Sequence, residues 1–135
     1  MKNAKVGTVF LIPNHRGTYI VAQVGSGADL GVFDLISDGS RPADIENVPI
    51  LFRVDYWRGS PSKNGWIDTG VHPLNPDLCA FARYGHHAVG ETHYYAVTHE
   101  PKEEEISRTE YDDLEPLATW THEHIVTRFK RETRI

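Results

Sequence analysis

Between Leu30 and Trp57 the chain reads LGVFDLISDGSRPADIENVPILFRVDYW, two strand-like runs parted by a polar segment of Asp, Gly, Ser and Pro. In the second run Ile50, Phe52, Val54 and Tyr56 fall on one side of a period-2 pattern, with Arg53 and Asp55 on the other, as in a strand half-buried in a sheet. The first run, Gly31 to Ile36, is apolar on both faces except at Asp34. A lone carboxylate is expensive to bury, so Asp34 needs a partner or an exposed position. A chain carrying two such runs is committed to a sheet.

The flanking sequence extends that sheet. Thr8 to Pro13 is apolar almost throughout, and the turn Asn14-His15-Arg16-Gly17 is short enough to form a hairpin with Thr18 to Val24, whose Ile20, Ala22 and Val24 face the core. The turn Gly25-Ser26-Gly27-Ala28-Asp29 continues the meander into Leu30 to Ile36. Pro42 to Asn47 reads as a short helix, with proline in its first turn and Asp44 and Glu46 behind it. Arg58 to Gly65 is a polar surface loop. Trp66 to Val71 is a short strand, and the prolines of His72 to Pro76 exclude regular structure there. Leu78 to Tyr84 and Thr92 to His99 are the last strands expected.

At the C-terminus the period changes. Thr121 reads as a helix cap, with Trp120 before it and Ile125 four residues after it, the spacing of a hydrophobic staple. Ile125, Val126 and Phe129 share one helical face, and Arg128, Lys130 and Arg131 lie where the helix dipole favours cations. The expectation is a single domain over 1–135 of α+β class, β-dominated, with a curved antiparallel sheet or partly open barrel and a C-terminal helix from about Thr121 to Arg131.

Charge is unevenly spread. Net charge is -5, yet the first 28 residues hold Lys2, Lys5 and Arg16 and no acid, whereas Glu103 to Glu115 holds seven acids against Arg108. The chain ends basic, with Arg128, Lys130, Arg131 and Arg134 against Glu132. An acidic face is a poor match for nucleic acid, whose binding draws on Lys and Arg against phosphate, and a good one for a basic partner. No apolar run approaches the roughly 20 residues of a membrane helix, and the start MKNAKVGTVFLIPNH is too short in its apolar core for a signal peptide. A cytoplasmic protein with no membrane association is expected. The single cysteine, Cys79, can form no internal disulfide and reads as a small buried apolar residue.

Several segments taken together resemble the Imm26 family of immunity proteins from bacterial polymorphic-toxin systems. They are Gly7-Thr8-Val9-Phe10-Leu11-Ile12-Pro13, Gly31-Val32-Phe33-Asp34-Leu35-Ile36-Ser37-Asp38 and Pro49-Ile50-Leu51-Phe52-Arg53-Val54. Gly65-Trp66-Ile67 with Gly70 and Pro73-Leu74 follows, and then Ala118-Thr119-Trp120 leading into Glu123-His124-Ile125. The resemblance runs in order over nearly the whole chain; the segment Asp77 to His93 departs from the family pattern. It implies a protein made beside a toxin effector that neutralises it by binding, with no catalytic residues and no cofactor.

The remaining residues of chemical interest have both sharp and plain readings. His86, His87, His93 and His99 surround two expected strands, but there is no second cysteine and no HExxH, so surface and loop histidines are expected and no metal. Asp34 and Asp38 read as structural carboxylates, Asp38 closing an Asx-type turn before Gly39, or as a pair for acid–base chemistry. No nucleophile elbow, phosphate loop or dinucleotide fingerprint is present. Trp66 and Trp120 read as core; Trp57, on the strand side of Arg53 and Asp55, is either core or an outward interface anchor. The partner-binding candidates are thus Glu103, Glu104, Glu105, Asp112, Asp113 and Trp57. A small-molecule or nucleic-acid-binding β-barrel module and a small enzyme stay open as alternatives.

Overall fold

The computed structural model describes residues 4–40, 42, 44–98 and 102–133. Four antiparallel strands follow one another, β1 (Thr8–Pro13), β2 (Tyr19–Val24), β3 (Leu30–Ser37) and β4 (Ile50–Tyr56). The loop after β4 contains a one-turn helix, α1 (Ser60–Lys63), with proline in its first turn, and β5 (Ile67–Val71) then pairs back onto β1. Next come β6 (Tyr84–His86), β7 (Tyr94–Val97), β8 (Glu103–Ile106), helix α2 (Arg108–Asp112) and β9 (Glu115–Pro116). Finally β10 (Thr119–Trp120) returns to run parallel to β4, and helix α3 (His122–Thr133) follows.

The strands form two mixed sheets, six strands in the order β10-β4-β3-β2-β1-β5 and four in the order β8-β7-β6-β9. The β-dominated class and the C-terminal helix are as expected from the sequence. The sheet, however, is divided in two, and neither part closes into a barrel.

The larger sheet is buried on both faces, which is why its central strands are apolar throughout. One face carries Phe10, Ile12, Ile20, Ala22, Val24, Val32, Phe52 and Val54 and is covered by Ile125, Val126 and Phe129 of α3 and by Trp66. The staple expected at the start of α3 is in place. Thr121 Oγ1 accepts the His124 N–H at 3.4 Å, and Trp120 packs against the same core as Ile125. The other face carries Val9, Leu11, Val21 and Phe33 and is covered by Ile45 and Leu78, which belong to loops.

Loops laid over a buried face bring backbone groups that need partners. Two buried amides supply them. Gln23 Nε2 donates to the carbonyls of Gly7, His72 and Pro73 at 3.1, 3.3 and 3.2 Å, and its Oε1 accepts the Asn75 N–H at 3.0 Å. Asn75 Nδ2 in turn faces the carbonyls of Ile45, Glu46 and Val48 at 2.8, 3.3 and 3.1 Å.

This packing accounts for most departures from expectation. None of the described residues of 42–47 is helical: Asp44 Oδ1 takes the Glu46 N–H at 3.0 Å, and the carbonyls that a helix would use face Asn75. Arg41 and Ala43 lie outside the described residues. No strand forms over Leu78 to Arg83, because Leu78 closes the 3-10 turn Pro76–Leu78 with its side chain fully buried under the sheet. Cys79 caps that turn from outside and is exposed, not buried. Ile50 also departs from the side of Phe52. The register Val32↔Phe52 and Phe33↔Ile50 leaves Leu51 as an extra residue, so Leu51 packs with the α3 face and Ile50 with the loop face.

Two tests follow from this packing. Asn75→Asp keeps the side-chain shape but turns a carboxylate toward three carbonyls. A loss of about 3 kcal/mol or more in urea unfolding at neutral pH is expected, with partial recovery at acid pH where the carboxyl is protonated; a loss under about 1 kcal/mol would contradict this account. The second test concerns His122, whose Nδ1 accepts the Trp66 indole N–H at 2.9 Å. Partial burial holds its imidazole below the ordinary 6.5, against the opposing charge of Glu123. Below about pH 6.5 the unfolded chain therefore binds more protons at this site, so the contribution is complete above that pH and is lost as pH falls. In melting curves between about pH 7.5 and 5, His122→Asn should show a shallower decline than the wild type.

Candidate interaction surface

The smaller sheet assembles from short strands with opposed faces. The register Tyr84↔Val97, His86↔Tyr95, Tyr95↔Glu105 and Val97↔Glu103 places these residues on one face. Gly85, Tyr94, Ala96, Glu104 and Ile106 take the other. Helix α2 packs on this second face, with the Tyr111 ring so close to Gly85 that a Cβ there would sit 2.9 Å from it. Tyr111 also contacts Tyr94 at 4.9 Å between centroids, and His87 stacks on Tyr94 at 4.3 Å. The His87 Nε2–H donates to the Glu91 carbonyl at 2.7 Å, a bond that bridges the β6–β7 loop.

Glu103, Glu104 and Glu105 therefore lie on an ordered strand at the end of its sheet, all exposed. Arg83 approaches Glu104 at 3.4 Å, and the His93 Nδ1–H donates to Glu105 at 2.6 Å. Both pairs are solvated and hold geometry more than they add stability. Beside the strand lies a cavity of about 150 Å³ lined by His86, Ala88, Glu91, Tyr95 and Glu103. The Tyr95 phenol is pushed up by loss of solvent and then by the charges of Glu105, Glu91 and Glu103, so it stays neutral.

The other residues singled out in the sequence are dispersed. Asp112 ends α2 and Asp113 caps it, both exposed, and because Ser107 caps the start of that helix directly after β8 they belong to the same acidic module. Trp57 lies elsewhere, at the end of β4, half-buried against Gly59 with the Lys63 ammonium 5.5 Å from its ring. Asp34 is exposed on β3, and Asp38 Oδ1 accepts the Ser40 N–H at 3.0 Å, the expected Asx turn, which holds its carboxyl below the usual range. Trp66 is buried and Trp120 half-buried. Among the described residues no cluster of His, Cys, Asp and Glu suits a metal ion; His99 lies outside them.

Sequence reasoning missed the joint between the sheets. Arg53 donates from Nε and Nη2 to both oxygens of Asp29 at 2.6 and 3.1 Å, and the Tyr84 hydroxyl donates to Asp29 Oδ2 at 2.5 Å. Asp29 is 4% exposed and Tyr84 8%. Burial, and then the charge on Asp29, drives the phenol far up, so it serves only as a donor. Next to it a cleft of about 260 Å³ is lined by Asp29, Asp55, Arg58, Tyr84, Thr98 and Leu117, where Thr98 Oγ1 is buried without a hydrogen-bond partner. A second groove, about 440 Å³, runs between α3 and the segment 116–120. There Arg128 lies over the rings of Phe52 and Trp120 and pairs with Glu115 and Glu132. Asp29 read as a turn residue and Arg53 as an outward one; their long separation from Tyr84 left no local signal.

Compared with protein-family models, with curated proteins and with solved structures, the chain matches none.

The joint makes its own prediction. Arg53→Met strands a buried carboxylate and should cost about 3–5 kcal/mol, whereas Tyr84→Phe, which removes one donor, should cost about 1.5–3 kcal/mol. Equal costs in denaturant unfolding would refute the assignment of Arg53 as the main counter-charge.

Proposed function

We propose that the protein is an immunity protein that binds and neutralises a cognate bacterial toxin effector by occluding it, with no chemistry of its own. The observation that carries this reading is the acidic edge: three consecutive exposed glutamates on β8, beside Tyr95 and backed by a cluster of the His87, Tyr94 and Tyr111 rings. Rigid aromatics with complementary charge are what tight protein interfaces use as anchors and for steering.

The placement of the resembling segments supports it as well. Gly7 to Pro13, Gly31 to Asp38, Pro49 to Val54, Gly65 to Ile67 and Ala118 to Ile125 supply β1, β3, most of β4, the start of β5, β10 and the start of α3. These are one spatial unit, the larger sheet with its helix. The departing segment, Asp77 to His93, leads into the smaller sheet that carries the acidic edge. On this reading the shared part is the scaffold, and the smaller sheet sets the partner.

Co-expression with the product of the adjacent reading frame tests it, with growth rescue and co-purification expected; a toxic neighbour that still kills and does not co-purify would rule the reading out. Reversing Glu103, Glu104 and Glu105 together to lysine should slow association about tenfold or more at low salt, with the difference shrinking as salt rises.

A further inference from the structure

The outer edge of β8 carries backbone hydrogen-bonding groups as well as charge, and no described strand pairs with it. The Thr98 N–H bonds the Lys102 carbonyl at 3.1 Å, and the pairs Ala96↔Glu104 and Tyr94↔Ile106 follow at steps of two. In an antiparallel ladder such pairs exchange both backbone bonds, and the pairs between them exchange none. Glu103 and Glu105 therefore turn their N–H and C=O groups away from β7, to the side where no described strand lies. Their side chains meanwhile stand on the face that holds the cavity beside Tyr95.

We propose that this edge receives an extended, basic segment of the partner protein as an added strand, hydrogen-bonded to the main chain of Glu103 and Glu105, with one lysine or arginine laid across β8 into the cavity. The main chain supplies affinity in such strand addition, and alternate side-chain pockets supply specificity. The cavity suits a cation in both its parts. Tyr95 offers an aromatic face and a neutral hydroxyl, and Glu91 and Glu103 offer carboxylates within the same small volume. An acidic edge is also a device against self-association, since a second β8 would bring glutamate against glutamate. That repulsion selects against a copy of this chain and for a strand of opposite charge.

This inference deepens the immunity reading and rests on it for the partner's identity, but its test does not need the toxin. The probe is a short peptide alternating lysine with valine, titrated into the full chain and followed by amide spectra and hydrogen exchange, with a glutamate–valine peptide as control. Binding should slow exchange at Glu103 and Glu105, weaken with salt, and be absent for the control. Glu105→Pro removes an outward N–H that the ladder does not use, a substitution edge strands tolerate, and should weaken binding about tenfold or more. Glu103→Gln with Glu105→Gln should weaken it and flatten its salt dependence, and this pair keeps the test intact if the proline variant unfolds. No binding, binding indifferent to both variants, or self-association through β8 would overturn the proposal. Growth rescue by a Glu105→Pro variant that no longer binds the peptide would reject strand addition and leave the immunity reading standing. Peptide binding by a chain that rescues nothing would do the reverse.

Discussion

A sheet that is apolar on both faces needs two covers, and the described residues hold one long helix to give. Helix α3 takes one side. The other is sealed by irregular chain, the loop before β4 and the stretch from His72 to Leu78, and irregular chain cannot lie on a hydrophobic surface unless its carbonyls find donors. Gln23, a fully buried amide near the end of β2, and Asn75, its partner in the covering loop, meet that need by addressing six carbonyls between them. Much of the remaining architecture follows from this arrangement. The covering loop is pinned, Leu78 is driven under the sheet, and Gly31 is left so close to Leu78 that a Cβ there would meet it at 2.6 Å. The chain then emerges at Tyr84 and begins the second sheet, returning to the edge of the larger one only at β10.

How the second sheet sits on the first is fixed by polar contacts. Asp29 stands where the β2–β3 turn ends, Arg53 comes from β4, and Tyr84 is the first residue of the new sheet, so one buried carboxylate joins both sheets. Such buried ion pairs contribute little net stability against apolar replacements of equal volume. Their geometry is demanding, however, and a bidentate guanidinium with a short phenol bond leaves few alternative poses. At the other end Arg128 on α3 pairs with Glu115 of β9. The acidic edge is thereby presented from a small sheet tied down at two separate places, which limits the ordering entropy that an interface would otherwise lose.

What the sequence disclosed divides along the same physical line. β1, β2, β3, β4 and α3 were legible because each carries its own period and its own punctuation: Pro13, the Asn14 to Gly17 turn, Gly25 to Asp29, the Thr121 cap. Residues whose environment depends on a distant segment were not. Leu78 to Tyr84 has strand composition, but Leu78 is claimed by the sheet above it. Ile50 follows the alternation of β4 until a bulge at Leu51 moves it to the other face, and a bulge leaves no mark in hydrophobic pattern alone. Cys79 has the composition of a core residue and the position of a cap. At the candidate surface the acidic run was plain to read, while the cavity beside it was not, because Glu91, Tyr95 and Glu103 come together only through the pairing of β6, β7 and β8.

The charge on β8 is better understood as a choice among possible neighbours than as a contribution to stability. An exposed edge strand accepts any chain with free backbone groups, and proteins suppress this with charge, proline or cover. Among the described residues no strand covers this edge, and β8 itself holds no proline. Carboxylates directly opposite one another destabilise a strand pair, and opposite charges stabilise it, so three glutamates on a strand of four residues set a strong preference between partners that the backbone alone would treat equally. Long-range attraction acts in the same sense, since the acids from Glu103 to Glu115 bias encounter toward basic surfaces before any hydrogen bond forms. A neutral edge would give up both effects together, the exclusion of self and the selection of a basic strand, because both arise from the same side chains.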